Sequence, residues 1–158
     1  MDPITNLFAS FYEWFGLNPF YSKDMGDQLR GYDVTCDANF IGTHWYSIIG
    51  FSMIGLVAFF YMLQYHFLDR FRFSRRYHWW MFVLVLFITT YLIAFSISYN
   101  SIRNSEDVCS LLKVNIADCI GFGFSNATWS LLFYTLLTSF KYPKLVANNC
   151  RYTTFWKP

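Results

Sequence analysis

Charge is what this sequence has least of. Asp, Glu, Lys and Arg make up 14% of the 158 residues, against roughly 25% in ordinary soluble domains. Three long stretches contain none of these four residue types: Trp45–Leu68, Tyr77–Ile102 and Cys119–Phe140. A small soluble domain covers its surface with charge, whereas a protein in lipid can leave apolar side chains outside. The composition therefore indicates a membrane protein.

Each charge-free stretch is long enough to cross a membrane. The shortest has 22 residues, which as a helix reach about 33 Å, and the hydrocarbon core of a bilayer is about 30 Å thick. We therefore expect an all-α integral membrane protein with three transmembrane helices, at about residues 45–68, 78–99 and 119–140.

The absence of charge inside the spans also limits function. Ion-coupled transporters, voltage sensors and proton pumps carry ionisable residues within the membrane, and these spans have no Asp, Glu, Lys or Arg. A pore would have to be lined by hydroxyl groups, by Asn126 or Gln64, or by apolar rings that gate by dewetting. Three spans can scarcely enclose a channel, so a pore would need a ring of subunits.

Signatures of enzymatic chemistry are missing as well. The sequence has no GxSxG, HExxH, Walker A or CxxC pattern. His66, Asp69 and His78 bracket the turn between the first two spans and could hold a metal, but pairing with the neighbouring arginines explains them more simply. We expect a non-enzymatic protein that uses no cofactor, binds no metal and does not bind nucleic acid.

The charges that remain are sorted by sign. The turn at 69–77 has four Arg against one Asp, and the tail at 141–158 has four basic residues and no acidic one. Residues 22–44 and 103–118 are net negative. Because short loops rich in Lys and Arg stay in the cytoplasm, we expect the turn and the C-terminus on the cytoplasmic side of an inner or plasma membrane. The basic residues concerned are Arg70, Arg72, Arg75, Arg76, Lys141, Lys144, Arg151 and Lys157.

Residues 1–21 have the pattern of an amphipathic helix. Asp2–Pro3 is a good helix start and Asn18–Pro19 a good stop. Apolar residues recur at helical spacing between them, and polar residues fall on another face. The apolar set is Ile4, Leu7, Phe8, Phe11, Trp14 and Phe15, and the polar set is Asn6, Ser10 and Glu13. The helix is too short for an ordinary span, so we expect it in the membrane interface or packed against the bundle; a fourth span is the alternative.

The predicted organisation follows from these boundaries. An amphipathic helix at 1–21 precedes an extracytoplasmic segment at 22–44, a transmembrane bundle at 45–140 and a cytoplasmic basic tail at 141–158. No basic region precedes an apolar run at the N-terminus, so the first span is expected to act as its own anchor.

Three of the four cysteines fall on the predicted outer side: Cys36, Cys109 and Cys119. In an oxidising compartment a disulfide between Cys36 and one of the other two would tie the pre-span segment to the loop. Cys119, at the membrane edge beside Asp118, is the expected odd one. Unpaired thiols that pack as small apolar groups are the alternative.

Rows of small residues in the second and third spans predict close helix packing. Helices in lipid associate through such rows because their backbones can approach closely. The second-span row is Thr90, Ala94 and Ser98, and the third-span row is Gly123, Ala127 and Ser130, with Asn126 beside it. Either another span of this chain or a neighbouring copy could be the partner. The first span offers a shorter row at Ser52, Gly55 and Ala58.

We expect a non-enzymatic membrane protein that works as a homo-oligomer, and two functional classes fit these patterns, the second being the alternative. In the first, the chain is a homo-oligomer that forms a pore or perturbs the membrane, as the polar third span and the small-residue rows suggest. In the second, it is a membrane-anchoring or scaffold subunit of a larger complex, and its basic turn and tail dock a cytoplasmic protein. The expected partners are the lipid bilayer, further copies of the chain and, in the second class, that cytoplasmic protein.

Overall fold

The computed structural model describes residues 3–17, 20–31, 43–67, 76–103 and 114–139. Within these ranges the chain forms helices and no strand, so the all-α prediction is confirmed for the part of the chain that is described. The elements are α1 (Pro3–Tyr12), a 3-10 turn (Trp14–Gly16), α2 (Lys23–Arg30), α3 (Trp45–Met62), a π-helical turn (Leu63–Phe67), α4 (Arg76–Arg103) and α5 (Ile116–Ser139).

Two of these helices are long and apolar enough to cross a membrane. They cover Trp45–Tyr65, with 21 residues, and Tyr77–Arg103, with 27 residues. Both match spans predicted from the charge-free stretches. The 24-residue helix α5 matches the third predicted stretch in position, but its Gly, Ser, Thr, Asn and Trp residues lower its mean hydropathy. The structure therefore has two candidate membrane-spanning helices among its described residues.

The N-terminal helix is shorter than the predicted one and buries a different face. It ends at Tyr12, and Trp14 and Phe15 then adopt positive φ angles of 50° and 56°, which residues other than glycine seldom do. The buried residues of α1 are Thr5, Phe8, Ala9 and Tyr12. Ile4 and Leu7, from the predicted apolar face, are exposed. The turn thus redirects the chain, and two hydroxyl groups face inward.

Helix α2 lies in a segment for which no helix was predicted. The Ser22 hydroxyl accepts a hydrogen bond from the Met25 amide at 3.4 Å and caps the first turn. Gly31, with a φ of 75°, ends the helix in the left-handed conformation that favours glycine. Met25 and Leu29 are fully buried. With eight residues, α2 is held by its two caps and by this apolar contact.

The chain divides into two compact units, and helices α3, α4 and α5 contribute residues to both. Unit 1 comprises Met1–Ser52 and Tyr91–Asn126, and unit 2 comprises Met53–Thr90 and Ala127–Pro158. In the described part of unit 2 the three helices share an apolar core. Its buried members are Val57 of α3, Trp79, Val83 and Leu86 of α4, and Tyr134 of α5.

In unit 1, glycines allow the N-terminal segment to approach the long helices closely. A Cβ atom on Gly121 of α5 would lie 1.7 Å from the carbonyl oxygen of Phe20. A Cβ atom on Gly50 of α3 would lie 2.3 Å from the ring of Phe8. No side chain fits at either position without a shift of its neighbour. The fold of unit 1 therefore depends on these two glycines.

We predict that Gly121→Ala destabilises the protein, because the added methyl group meets backbone rather than a side chain that can rotate away. Overpacking of this kind costs about 1–3 kcal/mol of unfolding free energy. The measurement is unfolding in mixed detergent micelles, followed by circular dichroism. Gly55→Ala is the matched control, since no atom of the described residues lies within 4 Å of its Cβ position and alanine is the better helix former. Equal stability of the two variants would contradict the packing described for unit 1.

Candidate functional site

A chain of hydrogen-bonded tyrosines leads to an ion pair in unit 1. The Tyr21 and Tyr46 hydroxyl oxygens are 3.0 Å apart, and the Tyr46 hydroxyl donates to Oε1 of Glu13 at 3.2 Å. Since Tyr46 gives its one proton to Glu13, Tyr21 is the donor in the first bond. The other carboxylate oxygen of Glu13 pairs with the Arg30 guanidinium. These four side chains come from three parts of the chain and form one network.

Burial keeps the phenols outside the spans in their neutral form. Desolvation raises the pKa of Tyr12 above its usual range, and the neighbouring Tyr21 raises it further. Desolvation is also the largest cause that raises the pKa of Tyr21, although its hydrogen bond with Tyr46 opposes this. A phenol whose pKa is raised keeps its proton near neutral pH. Both groups can therefore donate hydrogen bonds.

A second cluster joins α1 to α5. The Tyr12 hydroxyl donates to Oδ1 of Asn126 at 2.7 Å. Ser125 donates to the Tyr12 carbonyl oxygen at 3.2 Å and accepts from the Trp14 indole N–H at the same distance. Asn126 is 1% exposed, so its amide is bonded inside the protein. The polar residues at the start of α5 thus hold the N-terminal helix in place.

Asp118 and His44 fix the two ends of α2. One carboxylate oxygen of Asp118 accepts from the Ser22 amide at 2.8 Å, and the other accepts from the Asn115 amide at 2.9 Å. His44 Nδ1 lies 2.7 Å from the Arg30 carbonyl oxygen, one of the last carbonyls of α2, which have no partner within the helix. These contacts position Lys23, Asp27 and Arg30, which α2 carries.

A cavity of about 550 Å³ lies beside this network. Four charged side chains, two of each sign, line it together with a tyrosine and three small or apolar residues. The lining residues are Glu13, Gly16, Leu17, Tyr21, Lys23, Gly26, Asp27 and Arg30. Its volume is within the range of small-molecule sites. Within the described ranges no three His, Cys, Asp or Glu residues are grouped so that they could hold a metal ion.

The two predicted small-residue rows are buried within the single chain. Thr90, Ala94, Ser98, Gly123, Asn126, Ala127 and Ser130 are all inaccessible to solvent or nearly so. In unit 1, Gly123 packs against Tyr91. In unit 2, the hydroxyl oxygens of Thr90 and Ser130 are 3.0 Å apart. The sequence does not decide whether these rows pack against the same chain or against a second copy. For these contacts, the packing partner is another helix of the same chain.

The shorter row on α3 differs from the other two. Gly55 and Ala58 are exposed, and Phe51 and Phe59 are exposed beside them. Ser52 is half-buried and donates to the Ile49 carbonyl oxygen at 2.8 Å. Of the three rows, this one faces away from the chain.

Several predicted site residues lie outside the described part of the chain. These are Cys36 and Cys109, the basic residues Arg70, Arg72, Arg75, Lys141, Lys144, Arg151 and Lys157, and the metal candidate Asp69. Arg76 begins α4 and His66 belongs to the π-helical turn, but their side chains are not described. Cys119 is buried and is not in a disulfide with another described residue. The predicted disulfide stays a prediction.

The sequence did not indicate the residues that form the central network. From the sequence, Glu13 is predicted only as a polar position of an amphipathic helix, and Arg30 only as a charge in an acidic segment. Tyr12 and Asn126 are 114 positions apart, so no local spacing connects them. The sequence feature that points to this network is the set of tyrosines that flank the acidic segment at 22–44. Tyr12 and Tyr21 precede this segment, and Tyr46 follows it.

The chain was compared with protein families, curated proteins and solved structures. No protein-family model, no curated protein and no solved structure matches this chain.

We predict that Tyr12 and Asn126 are energetically coupled. Tyr12→Phe and Asn126→Leu should each lower the unfolding free energy by about 1–3 kcal/mol, because each removes the buried hydrogen bond between the two side chains. The double variant should be more stable than the sum of the two losses allows, by about 1 kcal/mol. The measurement is detergent unfolding of the full chain. Tyr99→Phe, at a half-buried tyrosine of α4, is the control. Strict additivity would contradict the bond.

Proposed function

We propose that this chain is a non-enzymatic integral membrane protein in which α3, α4 and α5 each cross the bilayer. The proposal rests on how polar and apolar side chains are distributed on these helices. Large apolar side chains are exposed along all three, and the buried set is rich in hydroxyls and amides. Exposed examples are Phe51, Ile54 and Phe59 on α3, Leu84, Ile88 and Leu92 on α4, and Ile120, Leu132 and Leu136 on α5.

Water does not favour so many exposed large apolar side chains on long helices. Soluble proteins bury their apolar residues and expose polar ones, whereas a bundle in lipid keeps its polar groups paired inside. Helix α5 follows the pattern even though its mean hydropathy is lower, because its polar residues Ser125, Asn126 and Ser130 are the buried ones. Lipid would therefore meet mainly the apolar face of α5. This supports α5 as the third span.

Of the two roles considered for such a bundle, membrane anchoring and pore formation, we favour membrane anchoring. The polar groups that could line a water path are bonded within the chain: Asn126 to Tyr12, and Thr90 to Ser130. Gln64 likewise accepts from Tyr134. A bundle in which these oxygen atoms are bonded internally suits a rigid anchor, while the amide nitrogen of Gln64 is buried without a hydrogen-bond partner among the described residues. In this role the basic turn and tail face the cytoplasm and dock an acidic protein surface, as opposite charges attract.

The exposed row on α3 supports the second candidate, a homo-oligomer that forms a pore or perturbs the membrane. Gly55 and Ala58 let a second helix approach closely, and no atom of the described residues lies within 4 Å of a Cβ atom placed on Gly55. A pore between copies would then be lined by apolar side chains and would open by wetting.

An ion-flux measurement on the full chain in liposomes separates these roles. We predict no flux above that of empty liposomes, and loss of a co-purifying cytoplasmic protein when residues 151–158 are deleted, with membrane insertion unchanged. Flux that Gly55→Leu abolishes, and that Val85→Phe on the exposed face of α4 leaves intact, would replace the anchor by the pore. Asn126→Leu does not serve this test, because it also breaks the bond to Tyr12.

A further inference from the structure

The N-terminal helix α1 has three faces rather than two. Successive residues of a helix are about 100° apart around its axis, and the four buried residues of α1 fill one sector. The exposed residues fall in two further sectors. Ile4 and Leu7, which are 46% and 57% exposed, share an apolar sector, and Asn6 and Ser10 share a polar one. The exposed surface of α1 is therefore divided between apolar and polar side chains.

The turn that follows α1 exposes further apolar side chains. Phe15 is 71% exposed and Leu17 is 82% exposed. Phe15 has a positive φ of 56°, a conformation that residues other than glycine seldom adopt. Its neighbour Trp14 is fixed to α5, since the indole N–H donates to the Ser125 hydroxyl at 3.2 Å. The fold thus holds Phe15 in an unfavourable backbone conformation that leaves its ring on the outside.

The contacts of α1 with α3 lie at the start of a candidate membrane span. Thr5 pairs with Ser47, and the Phe8 ring lies against Gly50. The span begins at Trp45, so Ser47 and Gly50 lie about 3 Å and about 8 Å along it at a rise of 1.5 Å per residue. A hydrocarbon core is about 30 Å thick. With α3 across the bilayer, α1 therefore lies in the outermost part of the hydrocarbon layer, at the end where α3 begins.

The contacts with α5 give the same level. Ser125 donates to the Tyr12 carbonyl oxygen at 3.2 Å, and the Phe20 carbonyl oxygen lies against Gly121. Asp118 is charged and belongs at or outside the hydrocarbon boundary. Gly121 and Ser125 lie about 5 Å and about 11 Å beyond Asp118 along the helix. The exposed residues of the turn lie in the chain between these two contacts, so they are at the same level.

We propose that the N-terminal segment lies partly sunk in one leaflet, the one in which α3 and α5 begin, and that it contacts the acyl chains there. The contacting surface consists of four exposed apolar side chains, Ile4, Leu7, Phe15 and Leu17. The polar sector of α1 faces the headgroups. An amphipathic helix of this kind buries its apolar face at the boundary between headgroups and acyl chains. The inference rests on the proposed function, because it takes α3 and α5 as spans.

Acyl chains fit this surface better than water does. Helix α1 carries no charged side chain, and the exposed Ser10 hydroxyl donates to the Asn6 carbonyl oxygen at 2.9 Å. The apolar surface also continues that of a candidate span, since the Phe8 and Phe51 ring centroids are 5.3 Å apart and Phe51 is 56% exposed on α3. Leu17 lines the charged cavity as well. The turn therefore lies where hydrocarbon meets the polar layer.

Collisions of single spin labels with oxygen and with a water-soluble nickel chelate test the proposal. The full chain, in a cysteine-free background in phosphatidylcholine vesicles, carries one label at Leu7→Cys or at Phe15→Cys. Ser10→Cys, in the polar sector of the same helix, is the matched control. We expect the ratio of oxygen to nickel collisions to be several-fold higher at positions 7 and 15 than at position 10. Circular dichroism shows whether each variant is folded, and the two test positions lie on different elements, so each can report alone.

A further label, at Leu136→Cys, separates this inference from the proposed function, since Leu136 is 56% exposed on α5. A ratio at positions 7 and 15 no higher than at position 10, with a high ratio at 136, overturns the inference and leaves the three spans intact. Few collisions with either reagent at 7 and 15 would mean that protein covers the surface, from a second copy or from another part of the chain, and would overturn it too. A high ratio at 7 and 15 with a low one at 136 supports the lipid contact and removes α5 as a span.

Discussion

In the hydrocarbon interior of a bilayer no water is present to hydrogen-bond a polar group, so each buried hydroxyl or amide needs a partner inside the protein. With the three long helices in lipid, as we propose, this constraint accounts for the pairs that the described polar groups form in both units. In unit 1, Asn126 accepts from Tyr12 of the N-terminal helix. In unit 2, the side-chain oxygen of Gln64 accepts from Tyr134, while its amide nitrogen is buried without a hydrogen-bond partner among the described residues. Each pair joins elements that are distant in sequence. The need to pair buried polar groups therefore also determines which elements pack together. In the proposed membrane arrangement, the apolar side chains face outward, where lipid is the solvent.

The N-terminal segment shows what this constraint adds to a helix that is too short to span. Helix α1 buries two hydroxyl-bearing residues, Thr5 and Tyr12, between apolar ones, and Thr5 pairs with Ser47 of α3 at 2.8 Å. The positive φ angles that follow redirect the chain, and the Glu13 carboxylate reaches Arg30 of α2. The segment is thus attached to the long helices by specific bonds rather than by a general apolar face. The charged cavity lies where this attachment brings Glu13 and α2 together.

The long helices were predictable from the sequence because their boundaries are marked by charge. The absence of Asp, Glu, Lys and Arg located two candidate spans to within a few residues. Helix α2 was missed because its evidence is local and short, a serine cap and a terminal glycine around eight mostly polar residues. The sequence also could not predict which way the small-residue rows face. The same spacing suits packing against another helix of this chain or against a second copy of the chain. Thr90 turned out to pair within the chain and Gly55 to face outward. The bond from Tyr12 to Asn126 joins residues too far apart for any pattern to connect.

The proposed position of α5, in lipid with its apolar face outward, can be measured through the accessibility of a spin label on that face. A label at position 132 of α5, in a cysteine-free background reconstituted in bilayers, should collide more with oxygen than with a water-soluble nickel chelate. A label at position 84 of α4, on a candidate span, should behave in the same way, and one at position 23 of α2 should favour the nickel chelate. Oxygen is concentrated in lipid, so the ratio reports the solvent of each side chain. If position 132 resembled position 23 rather than position 84, α5 would lie in water and the three-span account would be wrong.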